Sequence, residues 1–258
     1  MIARTLHLDQ GRTLHQYRGR ASNQYILEDR SGEATFLVDG GMPADATGIK
    51  HALHGMPPLK RVVCTHFHVD HVSGWIQLKR HFPTADIWLH EKAAPLVNGR
   101  TVIPLPGFTA WRDVLFPCMR ESGYRPGLAD IFKGGLYGTP FKKGFPRDRV
   151  RYFEDGEQVL PGFETLPTPG HRPDHVAFFH PESGALIGGD FLLVINGHIL
   201  PNSFLASPRD QAASLDTIGN TPGILSLWPG HGDVRPFDYE VLQTISFADN
   251  VALPPTSR

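Results

Sequence analysis

Five of the fourteen histidines in this chain lie in short motifs that also contain aspartate or glycine. The densest motif reads HFHVDH, begins at His66 and directly follows a run of apolar residues. In an extended chain, residues two apart point to the same side, so His66 and His68 can present two imidazoles to one metal ion. A predicted helix, Val72–Phe82, would then re-aim Asp70 and His71 toward a neighbouring position. Imidazole and carboxylate are the ligands of catalytic zinc-type sites, so this motif indicates metal binding.

Three further motifs each place a possible metal ligand directly after a predicted strand. They read PGH, GGD and PGHG, and their ligand-type residues are His171, Asp190 and His231. The neighbouring glycines permit tight turns and close approach of the backbone. Any one of these motifs is more often structural than functional. Together with the first motif, however, four of them at strand ends in one chain indicate a common site.

This ordered set of residues resembles the metallo-β-lactamase superfamily. In chain order the set is His66, His68, Asp70, His71, His171, Asp190 and His231. The resemblance covers roughly residues 20–90 and 150–235. It implies an α/β fold, a four-layer αββα sandwich, with the site at one edge in the cleft between the two sheets.

The same resemblance implies two metal sites that share one carboxylate. The ligands divide into a first site of His66, His68 and His171, a second site of Asp70, His71 and His231, and a bridging Asp190. Both ions would be divalent, with zinc expected and manganese or iron as alternatives. Asp70 would also orient the attacking water or shuttle its proton.

Two more residues are candidates for supporting these ligands. Asp39, in the segment LVDGG, matches an aspartate at a strand end that the superfamily uses to hold a ligating histidine. The alternative for Asp39 is an ordinary turn residue. His175 stands four residues after His171, at a position where the superfamily often has histidine. It would either support the ligands or pack in the core.

The spacing of apolar residues predicts short strands with interspersed helices in both halves of the chain. The predicted strands are 2–8, 23–28, 35–39, 60–65, 86–90, 150–153, 158–160, 163–166, 175–180, 185–188 and 224–228. The predicted helices are 43–56, 72–82, 208–219 and 236–250. Frequent turns between short strands favour two sheets covered by helices, and residues 1–258 are expected to form a single domain.

The segment from about 92 to 149 interrupts this pattern, since it is rich in proline, glycine and aromatic residues. From residue 100 to residue 151 there are ten Lys or Arg against four Asp or Glu, a local net charge of +6. We expect an insertion over the active-site cleft, in which Lys142, Lys143 and Arg147 bind an anionic substrate. The alternative is that these charges are solvated and the aromatic side chains form a small separate core.

The composition of the chain limits its partners and its location. The net charge of −1 over 258 residues offers no general attraction to nucleic acid or to an anionic membrane. The N-terminal segment lacks the apolar stretch of an export signal, and no apolar run is long enough to span a bilayer. A cytoplasmic protein acting on a small molecule is therefore expected, and its oligomeric state is open. The two cysteines, Cys64 and Cys118, give no disulfide framework.

A two-metal site of this kind makes a metal-bound hydroxide available at neutral pH for attack on a carbonyl or phosphorus atom. We expect hydrolysis of a small carboxylic ester, thioester or lactone, because the aromatic-rich insertion suits an acyl chain. A phosphodiesterase, including an endoribonuclease-like enzyme, is the first alternative, and a metal-binding sensor with little turnover is the second. A β-lactamase is disfavoured by the missing export signal and by Asp190, where the histidine-rich lactamase subclass lacks a bridging carboxylate.

Overall fold

Two β-sheets form the centre of the structure, a computed structural model that describes residues 1–125, 127 and 136–244. The strands are β1 (Ile2–His7), β2 (Arg12–Arg18), β3 (Asn23–Asp29), β4 (Ala34–Val38), β5 (Leu59–Val63), β6 (Asp86–His90), β7 (Val150–Phe153), β8 (Glu164–Pro167), β9 (Val176–His180), β10 (Ala185–Gly189), β11 (Leu192–Ile195), β12 (His198–Pro201), β13 (Ser226–Pro229) and β14 (Arg235–Pro236). The helices are α1 (Ala46–Ala52), α2 (Val69–Val72), α3 (Trp75–His81), α4 (Ala94–Val97), α5 (Phe108–Ala110), α6 (Phe116–Ser122), α7 (Pro208–Gly219) and α8 (Tyr239–Thr244). Within the described ranges, every helix is too short or too polar to traverse a lipid bilayer.

The strand order of each sheet decides which loops lie together. The first sheet runs β1-β2-β3-β4-β5-β6-β7, and the second runs β14-β13-β10-β9-β8. Strands β1 to β4 pair antiparallel and β4 to β7 pair parallel, whereas β10 and β13 are the parallel pair of the second sheet. Strands β11 and β12 form a separate hairpin. Because parallel strands end on the same side, the loops after β4, β5 and β6 share one edge, as do those after β10 and β13.

Three apolar layers hold these elements together. The layer between the two sheets includes Leu27, Phe36, Phe178, Ile187 and Trp228. On the outer face of the first sheet, helices α1 and α3 contribute Ile49, Trp75 and Leu78. On the outer face of the second sheet, helix α7 contributes Leu215 and Ile218. The layers are therefore helix, sheet, sheet and helix, which confirms the predicted αββα sandwich.

The chain enters a helix earlier than the apolar spacing predicted. Helix α2 begins at Val69, so Asp70 and His71 lie inside it and not before a helix at 72–82. His68 is still extended, and its carbonyl accepts hydrogen bonds from two backbone N–H groups of the following turn. A four-residue helix is too short to show an apolar period, which is why the sequence did not reveal it.

Two other predicted elements need correction. The strand predicted at 158–160 is wrong: Val159 and Leu160 are buried between the sheets, but they lie in a loop. The helix predicted at 236–250 is replaced near its start by β14 and then by α8, and its last part, 245–250, lies outside the described residues. At 158–160 the apolar residues are buried without the regular hydrogen bonding of a strand, whereas near 236 the pairing of β14 with β13 delays the helix to Tyr239.

The predicted insertion, about 92–149, packs against the rest of the chain in several places. A π-helical turn, Trp111–Leu115, joins α5 to α6, and this segment packs Val114 and Cys118 against the β11–β12 hairpin and Phe204. Farther along, the Phe145 ring contacts the Phe67 ring edge-on, with 5.3 Å between ring centroids. Residue 126 and residues 128–135 of this segment lie outside the described part of the chain.

Candidate metal centre

The ligand-type side chains all lie at one edge of the sandwich, in segments that follow strand ends. The first motif follows β5, and the other ligand-type residues follow β8, β10 and β13, in the order His171, Asp190 and His231. Strand β8 runs in the same direction as β10, because each pairs antiparallel with β9. The three loops of the second sheet therefore open on the same side, opposite the end of β5.

Glycine allows the loops of the second sheet to approach one another closely. The backbone N–H of Gly230 donates to the carbonyl of Gly189 at 2.6 Å, and the N–H of Asn23 donates to the carbonyl of Gly230 at 2.7 Å. A Cβ atom at position 230 would overlap the carboxylate of Asp190. The glycine of the PGHG motif is therefore needed to seat His231 beside Asp190.

Three ring nitrogens converge to form the first group of ligand atoms. The Nδ1 atom of His68 lies 3.0 Å from Nε2 of His66 and 2.9 Å from Nε2 of His171. Ligand nitrogens about 2.0 Å from a tetrahedral zinc ion lie about 3.3 Å apart. The spacing of these three atoms is therefore close to the spacing that one metal ion requires, and Asp190 is near enough to complete the group.

The second group contains Asp70, His71 and His231, and Asp190 lies between the two groups. The Nε2 atoms of His71 and His231 lie 3.8 and 3.4 Å from Oδ2 of Asp70. The Asp190 carboxylate lies 3.2 Å from the same two nitrogens and 3.8 Å from Nε2 of both His66 and His171. One carboxylate thus borders the ligand atoms of both groups.

The unpaired atoms of this cluster fit divalent cations. Nε2 of His71 and Oδ1 of Asp190 are buried and have no hydrogen-bond partner within the described residues, although they face each other at 3.2 Å. Buried polar atoms normally have partners, because an unsatisfied one is costly. A cation held between these atoms would satisfy them, and nitrogen and carboxylate oxygen are ligands that zinc, manganese and iron accept.

The charges of the cluster also fit the binding of cations. Burial lowers the pKa of His66 and His68 well below the usual value, so both rings are neutral and keep a lone pair near neutral pH. At His71 burial is outweighed by the neighbouring carboxylates, Asp190 foremost, and the pKa rises. At Asp190 burial is outweighed by the charges of His231 and His71, and the pKa falls well below its usual range. The carboxylates therefore concentrate negative charge where cations would bind.

Asp39 lies directly behind this cluster and contacts one of the ligand-type rings. The Nδ1 N–H of His71 donates to the Asp39 carboxylate at 2.8 Å, which leaves Nε2 facing the other ligand-type side chains. The same carboxylate accepts hydrogen bonds from the backbone N–H and the hydroxyl of Thr65. That hydroxyl in turn accepts from Nδ1 of His66 at 3.0 Å. Asp39 therefore fixes the orientation of two rings.

His175 contacts the cluster through the backbone of Asp190. Its Nε2 atom accepts a hydrogen bond from the Asp190 N–H at 3.1 Å, and its Nδ1 N–H donates to the hydroxyl of Thr168 at 2.8 Å. Burial lowers the pKa of His175 to about 3, so the ring is neutral, as an acceptor at Nε2 requires. Both ring nitrogens of His175 are therefore used in hydrogen bonds, and its role in supporting the cluster stays a prediction.

The structure also shows supporting residues that the sequence analysis missed. Asn202 is buried, and its Nδ2 group donates to the carbonyl of Asp190 at 3.0 Å. Its Oδ1 atom accepts from the N–H of Phe204, whose carbonyl accepts a hydrogen bond from Nδ1 of His171. Buried Asp174 accepts from the N–H of Phe67, between two of the ligand-type histidines. These bonds involve backbone groups brought together by folding, so no sequence motif signals them.

The basic residues proposed for substrate binding lie on the insertion, away from these contacts. The Lys142 ammonium lies over the Tyr137 ring, 4.3 Å from its centroid, and Lys143 and Arg147 are exposed. In the part of the chain that the structure describes, none of the three has a hydrogen bond or ion pair to the metal-ligand cluster. Arg149, by contrast, donates to backbone carbonyls at the end of α3, so part of the local positive charge has a structural role. The substrate-binding role of the three residues stays a prediction.

Fold and site together define a class of protein. A family profile described as Metallo-beta-lactamase superfamily matches residues 17–257. The chain belongs to this superfamily. The spacing of its histidine motifs had already indicated the resemblance.

Individual relatives share part of the chain at modest identity. The uncharacterized protein YobT of Bacillus subtilis is 29% identical over 172 residues, which are 65% of this chain and 60% of that protein. The hydroxyacylglutathione hydrolase GloC of Haemophilus influenzae is 30% identical over 138 residues, 52% of this chain and 50% of that protein. The chain thus spans between about half and about 60% of the length of these two curated relatives. Among solved structures, TTHA1623 in a di-iron-bound form is 26% identical with a TM-score of 0.57, covering 85% of this chain and 92% of that one.

Proposed function

We propose that this chain is a two-metal hydrolase that cleaves a small carboxylic ester, thioester or lactone, with zinc as its metal and manganese or iron as alternatives. The observation that carries the proposal is the position of Asp190. Its carboxylate lies within 3.8 Å of ring nitrogens from both groups of ligand-type residues. A carboxylate placed in this way can hold two cations close together, as two-metal hydrolases require.

When bound, such a metal pair supplies a water of lowered pKa and stabilises negative charge on the oxygen of a reacting carbonyl. The role that we propose for Asp70 follows from the exposure of its side chain. Its side chain is 21% exposed, against 7% for Asp190, so Asp70 is the carboxylate that a water in the cleft can reach. Asp70 can accept a hydrogen bond from that water and hold its proton. Asp39 and Asn202 keep the neighbouring ligand groups in place during this step.

The surroundings of the cluster support an acyl substrate. The Phe204 ring lies parallel to the His68 ring, with 2° between the ring planes and 5.8 Å between the centroids. Phe204 also packs with Val114 and Cys118 of the insertion, so an apolar wall extends from the metal ligands outward. The relative GloC is named for hydrolysis of an acyl compound, hydroxyacylglutathione, which agrees with this substrate class.

A substrate panel tests the proposal. Metal-loaded protein would be assayed with an acyl thioester, an aryl ester, a lactone and bis-p-nitrophenyl phosphate. We expect turnover of at least one acyl compound, and we expect Asp70→Asn to lower kcat by about 10²–10⁴, the usual contribution of a positioned acid or base. Asp155→Asn is the matched control, because Asp155 also pairs with a histidine, His90, but lies outside the cluster.

Each other outcome of the panel points to a different function. Cleavage of the phosphate diester with all acyl compounds untouched would contradict the proposal and favour a phosphodiesterase. Metal bound in full, with no turnover of any substrate, would favour a sensor. Equal loss of activity in Asp70→Asn and Asp155→Asn would remove the special role of Asp70.

A further inference from the structure

A pocket of about 370 Å³ opens at the edge of the sandwich, beside the loop that carries His231. Its polar lining comes from both sheets and consists of Arg4, Gln16, Arg18, Asp233 and Arg235. Three of these five side chains are arginines, in a chain whose overall charge is close to neutral. The pocket is separate from the seven ligand-type side chains of the metal centre.

The two sheets build this pocket where their shared apolar layer ends. Arg4 of β1 and Gln16 of β2 are partners in the strand register, so their side chains leave the same face of the first sheet. Leu14, two residues before Gln16, is in the layer between the sheets, which shows that this face points inward. Arg235 begins β14, the edge strand of the second sheet. The arginines therefore surround an inward-facing gap.

Gln16 supplies the observation that points to a ligand. The residue is 2% exposed, and its Nε2 group is buried without a hydrogen-bond partner among the described residues. An unsatisfied buried amide is unfavourable, and Gln16 lines the pocket, so an acceptor bound deep in the pocket would satisfy this donor. An acceptor beside several guanidinium groups would be an anionic oxygen.

The guanidinium groups keep donors available for such an anion. Arg18 forms an ion pair with Asp233, and Arg4 uses one Nη1 donor on the carbonyl of Val234 at 3.0 Å. The Arg235 side chain lies beside Gly197 and has no hydrogen-bond or ion-pair partner within residues 1–125, 127 and 136–244. Three positive charges thus face one negative charge. The planar guanidinium presents paired N–H groups that match the oxygens of a carboxylate or a phosphate.

We propose that this pocket binds an anionic group, a carboxylate or a phosphate, through Arg4, Arg235 and Gln16. Asp233 lies two residues beyond His231, and two residues span at most about 7 Å of chain. A ligand anchored here would therefore lie next to the loop that seats His231. If the ligand is the substrate, the pocket selects acyl compounds that carry an anionic group away from the scissile bond, a selectivity that rests on the proposed function.

Calorimetric titration of the metal-loaded protein with inorganic phosphate tests the pocket directly. We expect a binding event whose affinity falls about tenfold or more in Arg4→Ala and in Arg235→Ala, because each loses a charge-assisted hydrogen bond. Gln16→Leu should weaken the same event. Arg80→Ala, an exposed arginine on α3, is the matched control and should leave it unchanged. Phosphate held by the metal centre would persist in all four variants.

Unchanged phosphate affinity in both Arg4→Ala and Arg235→Ala would overturn the proposal. A second measurement identifies the source of the anion, with two aryl esters that differ only in a terminal carboxylate or its methyl ester. If Arg4→Ala raises KM for the carboxylate ester but not for its methyl ester, the pocket binds the substrate. If Arg4→Ala loses phosphate binding but keeps the wild-type KM for both esters, the pocket binds a free anion. Absence of any ester turnover in the wild type would refute the proposed function, and the phosphate titration would still decide the pocket.

Discussion

His71, His66 and His171 each donate the Nδ1 N–H to a protein oxygen, and this fixes what their other nitrogen can do. The acceptors are the Asp39 carboxylate, the Thr65 hydroxyl and the Phe204 carbonyl. A ring whose proton is held at Nδ1 keeps its lone pair at Nε2, which is the atom that faces the cluster. At His66 and His171, where burial lowers the pKa, protein contacts thereby select the tautomer that can bind a cation.

The variant Asp39→Asn tests whether the hydrogen bond to Nδ1 of His71 supports metal binding. Asparagine tolerates the left-handed backbone that Asp39 adopts, with a φ of 64°, so the turn should survive. Loss of the carboxylate charge behind His71 should lower metal affinity about 10–100-fold, measured by competition with a chelator. Asp155→Asn, which alters the His90 pair elsewhere, should leave metal affinity unchanged. Equal affinities in both variants would show that Asp39 serves only the turn.

The residue types of the site were readable from the sequence, whereas their supports were not. The HFHVDH, PGH, GGD and PGHG motifs predicted the seven ligand-type residues, and the structure places those side chains in two adjoining groups. Asn202 and Asp174 act on backbone groups that only the fold brings near them. A lone asparagine or aspartate in a loop carries no spacing by which to find it.

Helices and strands were predictable where burial imposes a period. The bounds of β6 and α7 agree with the apolar spacing, because each element has several buried residues at regular intervals. The hairpin of β11 and β12 and the polar strand β2 were not predicted. In β2, charged and polar residues such as Arg12 and Gln16 occupy inward positions, so the usual alternation is hidden.

The packing of the insertion against the hairpin gives a prediction for Cys118. Burial raises the pKa of this thiol, as it does for Cys64, so neither should react readily with a thiol reagent in the folded protein. Val114→Ala removes packing beside Cys118 and should speed its alkylation about tenfold, the factor for about 1.4 kcal/mol of lost contact. Mass spectrometry of the labelled peptides reports both cysteines in one experiment.

Two controls make this labelling measurement specific, a second cysteine and a second variant. Cys64 lies in the core beneath α1 and α3 and should react no faster in Val114→Ala. Phe108→Ala alters an insertion side chain that is already exposed and should leave Cys118 protected. Rapid labelling of Cys118 in the wild type would mean that α6 does not pack on the hairpin in solution.

We propose that the predicted insertion, about 92–149, acts as a lid over the cleft and binds an anionic substrate through its basic side chains. Replacement of Lys142, Lys143 and Arg147 by alanine should raise KM for an anionic acyl thioester and leave KM for a neutral lactone unchanged. The increase should shrink when salt is added, because exposed charges are screened over about 8 Å at physiological ionic strength. Equal KM values for wild type and triple variant with both substrates would end the lid proposal and leave these charges as solvated surface groups.

At the scale of the whole molecule, the candidate metal centre and the arginine pocket both lie at the edge of the sandwich. Each sheet contributes loops to the candidate metal centre, and the loop of His231 also borders the arginine pocket. The net charge of −1 does not reveal this distribution, since the arginines of the pocket come from residues 4, 18 and 235. Sequence analysis finds a site when its residues stand in recognisable motifs, and the arginines of the pocket belong to none.

The metal content of the purified, metal-loaded protein tests the central claim most directly. Elemental analysis after dialysis should give close to two ions per chain for the wild type. Asp190→Ala should lower occupancy of both sites, because this carboxylate borders both groups of ligand-type residues, whereas His66→Ala and His231→Ala should each reduce the content toward one ion. A wild-type content that stays at one ion per chain under metal-replete conditions would contradict the two-metal account.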